Sequence, residues 1–122
     1  VTATEEDNNV LDSSNYGEWS VDIPAPGKKI YSTLPNGGYG FMTGTSQATA
    51  VVTGAAALVR TKFPDYSAEQ VISTLTASGD FDPDKLKGKT TNQKHLNIYR
   101  ALAIVCGRSD SAQHRSNESQ FV

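Results

Sequence analysis

One run of small and apolar residues, 45–62, constrains the fold of this chain more than any other feature. Its apolar positions recur at spacings of three and four residues: Ala48, Val51, Val52, Ala55, Leu58 and Val59. This spacing predicts a helix, and side chains that are small nearly all round predict a helix buried on every side. Pro64 should end the helix near Lys62. Gly54 should mark close packing against another backbone.

The residues before this helix predict extended structure. Residues 1–4 and 19–23 alternate between apolar and polar side chains, and residues 28–34 and 39–43 are also typical of strands. Because proline has no backbone N–H to donate, the sequence PAPG at 24–27 should lie outside any central strand and end the second of these segments.

The residues after it predict two more helices joined by a polar loop at 79–93. Ser67 and Gln70 have the spacing of a capping box, which should open the second helix. Its inner face should carry Val71, Ile72 and Leu75. The third helix is predicted over residues 97–105. Its inner face should carry Ile98, Leu102 and Val105.

The sequence Gly44-Thr45-Ser46 stands where the first helix begins and allows two interpretations. In the structural one, Thr or Ser simply caps the helix. In the functional one, the Ser46 hydroxyl lies beside unpaired backbone N–H groups at the positive end of the helix dipole. Such groups stabilise the oxyanion that forms when a hydroxyl attacks a carbonyl, and Gly44 would let a substrate backbone come close. Spacing alone does not decide between the two.

Longer motifs are more specific. The sequence GTSQATAVVTG at 44–54 resembles the nucleophile motif of subtilisin-like serine proteases (subtilases, peptidase family S8), commonly GTSMAxPxVAG. SNYG at 14–17 and VDIPAPG at 21–27 are similar to two upstream blocks of that family. IYST at 30–33, AAALV at 55–59 and LNIYRAL at 96–102 also fit. The resemblance therefore covers about residues 1–105, in the family's order.

The resemblance implies the C-terminal portion of a three-layer α/β fold, a mainly parallel sheet with helices on both faces. Residues 1–106 would be the C-terminal part of a subtilase catalytic domain, and residues 107–122 a polar, disordered tail. A serine endopeptidase is implied, with Ser46 as nucleophile and its own backbone N–H in the oxyanion hole. Gly44 and Thr45 would support this motif. A peptide or protein would be the substrate.

The resemblance also implies that other catalytic groups lie elsewhere. The family's triad runs in the order Asp, His, Ser, so Asp, His and the oxyanion Asn are expected upstream of residue 1. The chain opens on Val1 without an initiator Met, which we interpret as a processed chain or a C-terminal piece. Its partner would be the missing N-terminal part of the domain, and the isolated chain should be inactive. The alternative is an inactive fragment or pseudoprotease acting as a binding or structural module.

Three positions depart from the family motif. Gln47 replaces the usual Met, which removes an oxidisable thioether beside the nucleophile and predicts resistance to dilute peroxide. Ala50 replaces a Pro that often follows a cis peptide bond, so a trans bond is expected here. Val51 replaces a His that is not the triad His.

The remaining residues with reactive or metal-binding side chains are interpreted as structural. His95 is expected in a polar loop before the last helix, after the nucleophile, and His114 lies in the tail, so neither is expected to act as a base. Asp22 falls in a block that is structural in the family. A solvated turn is the expectation for Asp80, Asp82 and Asp84, which lack the rest of a calcium loop. Cys106 fits an apolar filler, and the sequon at 117–119 has little weight.

Composition excludes several classes of partner. Eleven basic and thirteen acidic residues give a net charge of −2, which offers no footprint for nucleic acid or an anionic membrane. The longest weakly polar run, 48–59, is far shorter than a membrane span. No cofactor or metal is expected. The family resemblance allows a structural calcium ion, for which no site can be assigned, and implies a secreted or extracytoplasmic protein.

Overall fold

The computed structural model describes residues 1–106, except for the side chains of 104–106. The predictions made for residues 107–122, His114, the sequon and the side chains of Val105 and Cys106 lie outside this part. In chain order, its elements are β1 (Thr2–Thr4), β2 (Pro24–Pro26), β3 (Ile30–Leu34), β4 (Gly38–Met42), α1 (Thr45–Lys62), α2 (Ala68–Ala77), β5 (Asp80–Phe81), α3 (Pro83–Leu86), β6 (Lys94–His95) and α4 (Ile98–Cys106).

The strands form three two-stranded sheets, and the described chain is an α/β protein. Strands β1 and β2 pair in parallel, whereas the β3–β4 hairpin and the β5–β6 pair are antiparallel. A 3₁₀ turn at Pro35–Gly37 connects the strands of the hairpin. None of the helices in residues 1–106 is long and apolar enough to cross a bilayer.

The prediction for the second strand was wrong, because the strand is Pro24–Pro26 itself. Residues 18–20 form a turn, and the Trp19 side chain is 91% exposed. The prolines fit because their backbones face away from β1: the bonds to β1 use the Ile23 carbonyl and the Gly27 N–H, at 3.1 and 3.0 Å. On the other side the Pro24 carbonyl accepts the Leu96 N–H, so no proline donor is needed.

Helix α1 begins and ends where the sequence predicted, at Thr45 and Lys62. The prediction that it is buried all round was wrong for the described chain, because only Ala48, Ala55 and Val59 are fully buried. The opposite side is open, and a Cβ added to Gly54 would have no neighbour within 4 Å among the described atoms. The expected backbone contact at Gly54 is therefore missing here. We call the exposed positions Thr53, Gly54, Ala57 and Leu58 the open face of α1.

Two buried clusters hold α1 in place. The larger joins the middle of α1 to the helices and includes Ala55, Val59, Val71, Leu75 and Ala101, with Ile23. The smaller joins the start of α1 to the parallel strands and consists of Ala3, Leu11, Ala25 and Ala48. The second cluster matters for function, because it fixes the first turn of α1 against β1 and β2.

The later elements follow the prediction in part. Helix α2 has the predicted capping box, in which Ser67 and Gln70 each bond the other's backbone N–H. Its inner face carries Val71 and Leu75 but Thr74 instead of Ile72, which is 57% exposed.

The segment predicted as a polar loop contains β5 and α3 and buries Leu86 and Thr90 completely. Hydrophobic periodicity did not predict β5 and α3, because these elements have only two and four residues and are too short to show a repeat. Helix α4 begins at Ile98, where the Asn97 side chain accepts the Arg100 N–H at 2.8 Å. Ala101 is buried on its inner face, and Ile98 and Leu102 pack there as partly buried neighbours.

Loss of the capping box should destabilise the protein measurably. Ser67→Ala removes the hydroxyl that accepts the Gln70 N–H, leaves that N–H of α2 without its partner, and should lower the free energy of unfolding by about 1 kcal/mol. Ser73→Ala is the matched control, because it makes the same change in the middle of the same helix, where alanine is favoured. Chemical denaturation measures both, and equal stability of the two variants would contradict the capping assignment.

Candidate active site

Ser46 is the second residue of α1, and its backbone N–H is unpaired within the described chain. Gly44 precedes the helix and has no side chain with which to cap it. The first bond into the helix runs from the Ala48 N–H to the Gly44 carbonyl at 3.2 Å, and no described acceptor reaches the Thr45 or Ser46 N–H. Two donors at the positive end of the helix therefore have no hydrogen-bond partner among the described residues.

The Ser46 side chain is exposed, and its Oγ has no hydrogen-bond partner among the described residues. Thr45 does not cap the helix either, since only its carbonyl takes part in a side-chain bond, from the Thr49 hydroxyl at 2.8 Å. The structural interpretation of Thr45 and Ser46 as helix caps is therefore wrong, because neither side chain bonds the first turn.

The first turn of α1 is anchored through Gly44. Its N–H donates to the Gly27 carbonyl at 2.8 Å, and Gly27 in turn donates to the Thr4 carbonyl at the end of β1. A side chain at Gly44 would come within 2.9 Å of the Gln47 Oε1. The glycine thus keeps the approach to Ser46 open while the sheet holds its backbone.

Two surface depressions meet at Ser46. One, of about 370 Å³, runs along the β3–β4 hairpin and includes Ile30, Leu34, Ala50 and Val51. The other, of about 550 Å³, lies over the smaller buried cluster and includes Ser13, Ser14, Asn15 and Thr43. Only Met42, Ser46 and Gln47 line both depressions. No Asp, Glu, His, Lys or Arg of the described chain lines either one, so none of these residues can serve as a general base there.

The motif departures are visible around this site. The Gln47 Nε2 donates to the Met42 Sδ at 3.8 Å, across the turn that joins β4 to α1. All described peptide bonds are trans, as predicted at Ala50. Sequence reasoning missed Met42, because no motif marks it and only the hairpin geometry brings it beside Ser46.

His95 makes a structural contact, as predicted, but it does so from a strand and not from the predicted loop. It lies in β6, is 8% exposed, and its Nε2 is 3.2 Å from the Asp82 Oδ2. Asp82 also accepts the Lys85 N–H and so caps α3.

The other acidic candidates have no role at the depressions. Asp80 contacts Arg100 and Asn97, which joins it to α4, and Asp22 is exposed. Within residues 1–106, no three metal-ligating side chains come together.

Shifted pKa values occur in the segments that flank β1 and β2. Hydrogen bonds from the Asn9 backbone and side chain lower the pKa of Asp7. A hydrogen bond to Glu5 raises the pKa of Lys28. Neither group lines the depressions at Ser46, so neither shift affects the chemistry of the hydroxyl.

Comparisons with a family model, with known sequences and with solved structures agree on the relatives of this chain. The sequence model of the subtilase family (peptidase S8) matches residues 1–102. Alkaline elastase YaB from Bacillus sp. (strain YaB) and subtilisin BL from Lederbergia lenta are each 46% identical over 75 residues, or 62% of this chain. The solved A-subunit of the AB5 toxin from E. coli superposes with a TM-score of 0.72 and 33% identity over 87% of this chain.

The match covers only part of each relative. The chain spans 20% of the alkaline elastase, 28% of subtilisin BL and 33% of the toxin subunit.

Proposed function

This chain belongs to the subtilase family, and on that premise we propose that it is the C-terminal part of the catalytic domain of a serine endopeptidase, with Ser46 as its nucleophile. The observation that carries the proposal is the absence of described hydrogen-bond partners for the Ser46 hydroxyl and backbone N–H. The hydroxyl is exposed and unbonded, and it lies on a helix start whose N–H groups have no acceptor in the described chain.

The chemistry follows from this geometry. The Ser46 Oγ attacks the carbonyl carbon of a peptide bond and gives its proton to a base, which later protonates the leaving amine. The carbonyl oxygen becomes an oxyanion, to which the Ser46 backbone N–H donates. Water then hydrolyses the acyl-enzyme. This sequence of steps needs no cofactor.

The base must come from another segment. We propose that the upstream part of the domain supplies the triad Asp and His and the oxyanion Asn, and is the partner of this chain. The exposed, small residues on the open face of α1 leave room for packed structure. The share of each relative that this chain spans fits the same division. From the family resemblance we also propose that the protein is secreted or extracytoplasmic.

A second candidate is an inactive subtilase fragment that acts as a binding or structural module. It is favoured by one observation, the lack of a described Asp, Glu, His, Lys or Arg side chain in either depression at Ser46. The sequence directly upstream of Val1 in the complete protein distinguishes the two proposals. Asp, His and Asn blocks in that sequence would support the active protease, and their absence would support the inactive module.

An assay on the complete protein, meaning this chain with any upstream segment with which it occurs, tests the proposed activity. We expect hydrolysis of a denatured protein substrate, abolished by prior treatment with a fluorophosphonate. Hydrolysis that persists after stoichiometric labelling would contradict the serine mechanism, and no hydrolysis at all would favour the inactive module.

A further inference from the structure

Met42 is the only methionine of the chain and lies beside the proposed nucleophile. It is the last residue of β4, opposite Ile30 in the hairpin, and is 53% exposed. Its sulfur accepts the Gln47 Nε2–H at 3.8 Å, a weak bond of the kind that a thioether forms.

Met42, Ser46 and Gln47 are the described residues that line both depressions, so Met42 lies where the two depressions meet. The family motif has a Met where this chain has Gln47, so that sulfur is missing here. The hairpin brings a different sulfur, that of Met42, into contact with Gln47. The expected resistance to peroxide rested on the absence of a thioether at this site, and that premise is wrong.

We propose that Met42 is an oxidation site for hydroperoxides, and that its sulfoxide rearranges Gln47 and slows acylation of Ser46. The last step rests on the proposed function. In the reaction, the sulfur attacks one oxygen of hydrogen peroxide, an S–O bond forms and the O–O bond breaks. The sulfur loses two electrons, and the second oxygen leaves as water. The product is methionine sulfoxide, which methionine sulfoxide reductases return to the thioether.

The consequence for the site follows from hydrogen bonding. A sulfoxide oxygen is a much stronger acceptor than a thioether, so it should hold the Gln47 amide at about 2.9 Å, an ordinary hydrogen-bond distance. Because Met42, Gln47 and Ser46 line the same depressions, the new oxygen adds the negative end of a dipole to the surface that Ser46 shares. An added negative dipole next to a forming oxyanion raises the barrier to acylation.

The experiment treats the complete protein with dilute hydrogen peroxide and follows three readouts. Mass spectrometry should find one added oxygen on the peptide that contains Met42. The side-chain amide resonance of Gln47 should shift. Fluorophosphonate labelling of Ser46 should slow about tenfold, equivalent to about 1.4 kcal/mol in the barrier, and should recover after treatment with the reductases.

Met42→Leu is the matched control, because leucine has a similar volume and no sulfur. Each variant is compared with itself before and after peroxide, and the leucine variant should show no change in either the Gln47 resonance or the labelling rate. An oxidised Met42 with an unmoved Gln47 resonance would overturn the proposed contact. An equal loss of labelling in Met42→Leu would overturn the role of Met42. Absence of Ser46 labelling before peroxide would instead refute the proposed function, while the Gln47 resonance still tests the oxidation site.

Discussion

Ser46→Ala should abolish peptide hydrolysis by the complete protein. The variant loses the proposed nucleophile, whose Oγ would form the acyl-enzyme, so kcat should fall by about 10⁶-fold. The fold should survive, because Ser46 is exposed and its Oγ bonds no described residue. Steady-state kinetics with a peptide substrate measures the loss, and circular dichroism checks the fold.

Ser32→Ala is the matched control for this experiment. Ser32 lines the same depression along the hairpin, and the substitution removes the same hydroxyl. It should leave kcat within a few-fold of the unchanged protein. Substantial activity in Ser46→Ala, or an equal loss in Ser32→Ala, would show that Ser46 is not the nucleophile.

In the isolated chain, residues 1–122, the Ser46 hydroxyl should be unreactive as a nucleophile. A serine hydroxyl is a weak nucleophile until a base accepts its proton, and general bases contribute about 10²- to 10⁴-fold to such reactions. No described His, Asp or Glu lines the depressions. A fluorophosphonate should therefore label Ser46 in the isolated chain no faster than it labels an ordinary exposed serine.

Addition of the upstream segment should raise that labelling rate by at least about 10²-fold. His95→Ala in the isolated chain controls for a local base, and should change nothing, because His95 is held by Asp82 in β6. Rapid labelling of the isolated chain would contradict the need for a separate base. Loss of that rapid labelling in His95→Ala would identify His95 as the base.

The sequence predicted local features well. The bounds of α1 and the capping box of α2 were confirmed, because helix starts and stops depend on residues within one turn of each end. The identity of β2 was predicted wrongly, because the cost of Pro24 and Pro26 depends on which edge of the strand β1 occupies. That information lies in residues more than twenty positions away.

The candidate site was predictable only in part. Motif resemblance marked Ser46, and the structure places its N–H at an uncapped helix start. The position of Met42 at both depressions was not predictable, because it depends on the path of the β3–β4 hairpin relative to α1. The burial predicted for Gly54 also failed, because an apolar pattern shows that a face can be covered but does not name the segment that covers it.

The position of a fluorophosphonate adduct tests the central claim most directly. The complete protein is labelled to completion and digested, and the peptide that spans residues 41–60 is sequenced by mass spectrometry. The account predicts one adduct per chain, located on the Ser46 Oγ and accompanied by full loss of hydrolysis. An adduct on any other residue, or full labelling of Ser46 with hydrolysis intact, would contradict it.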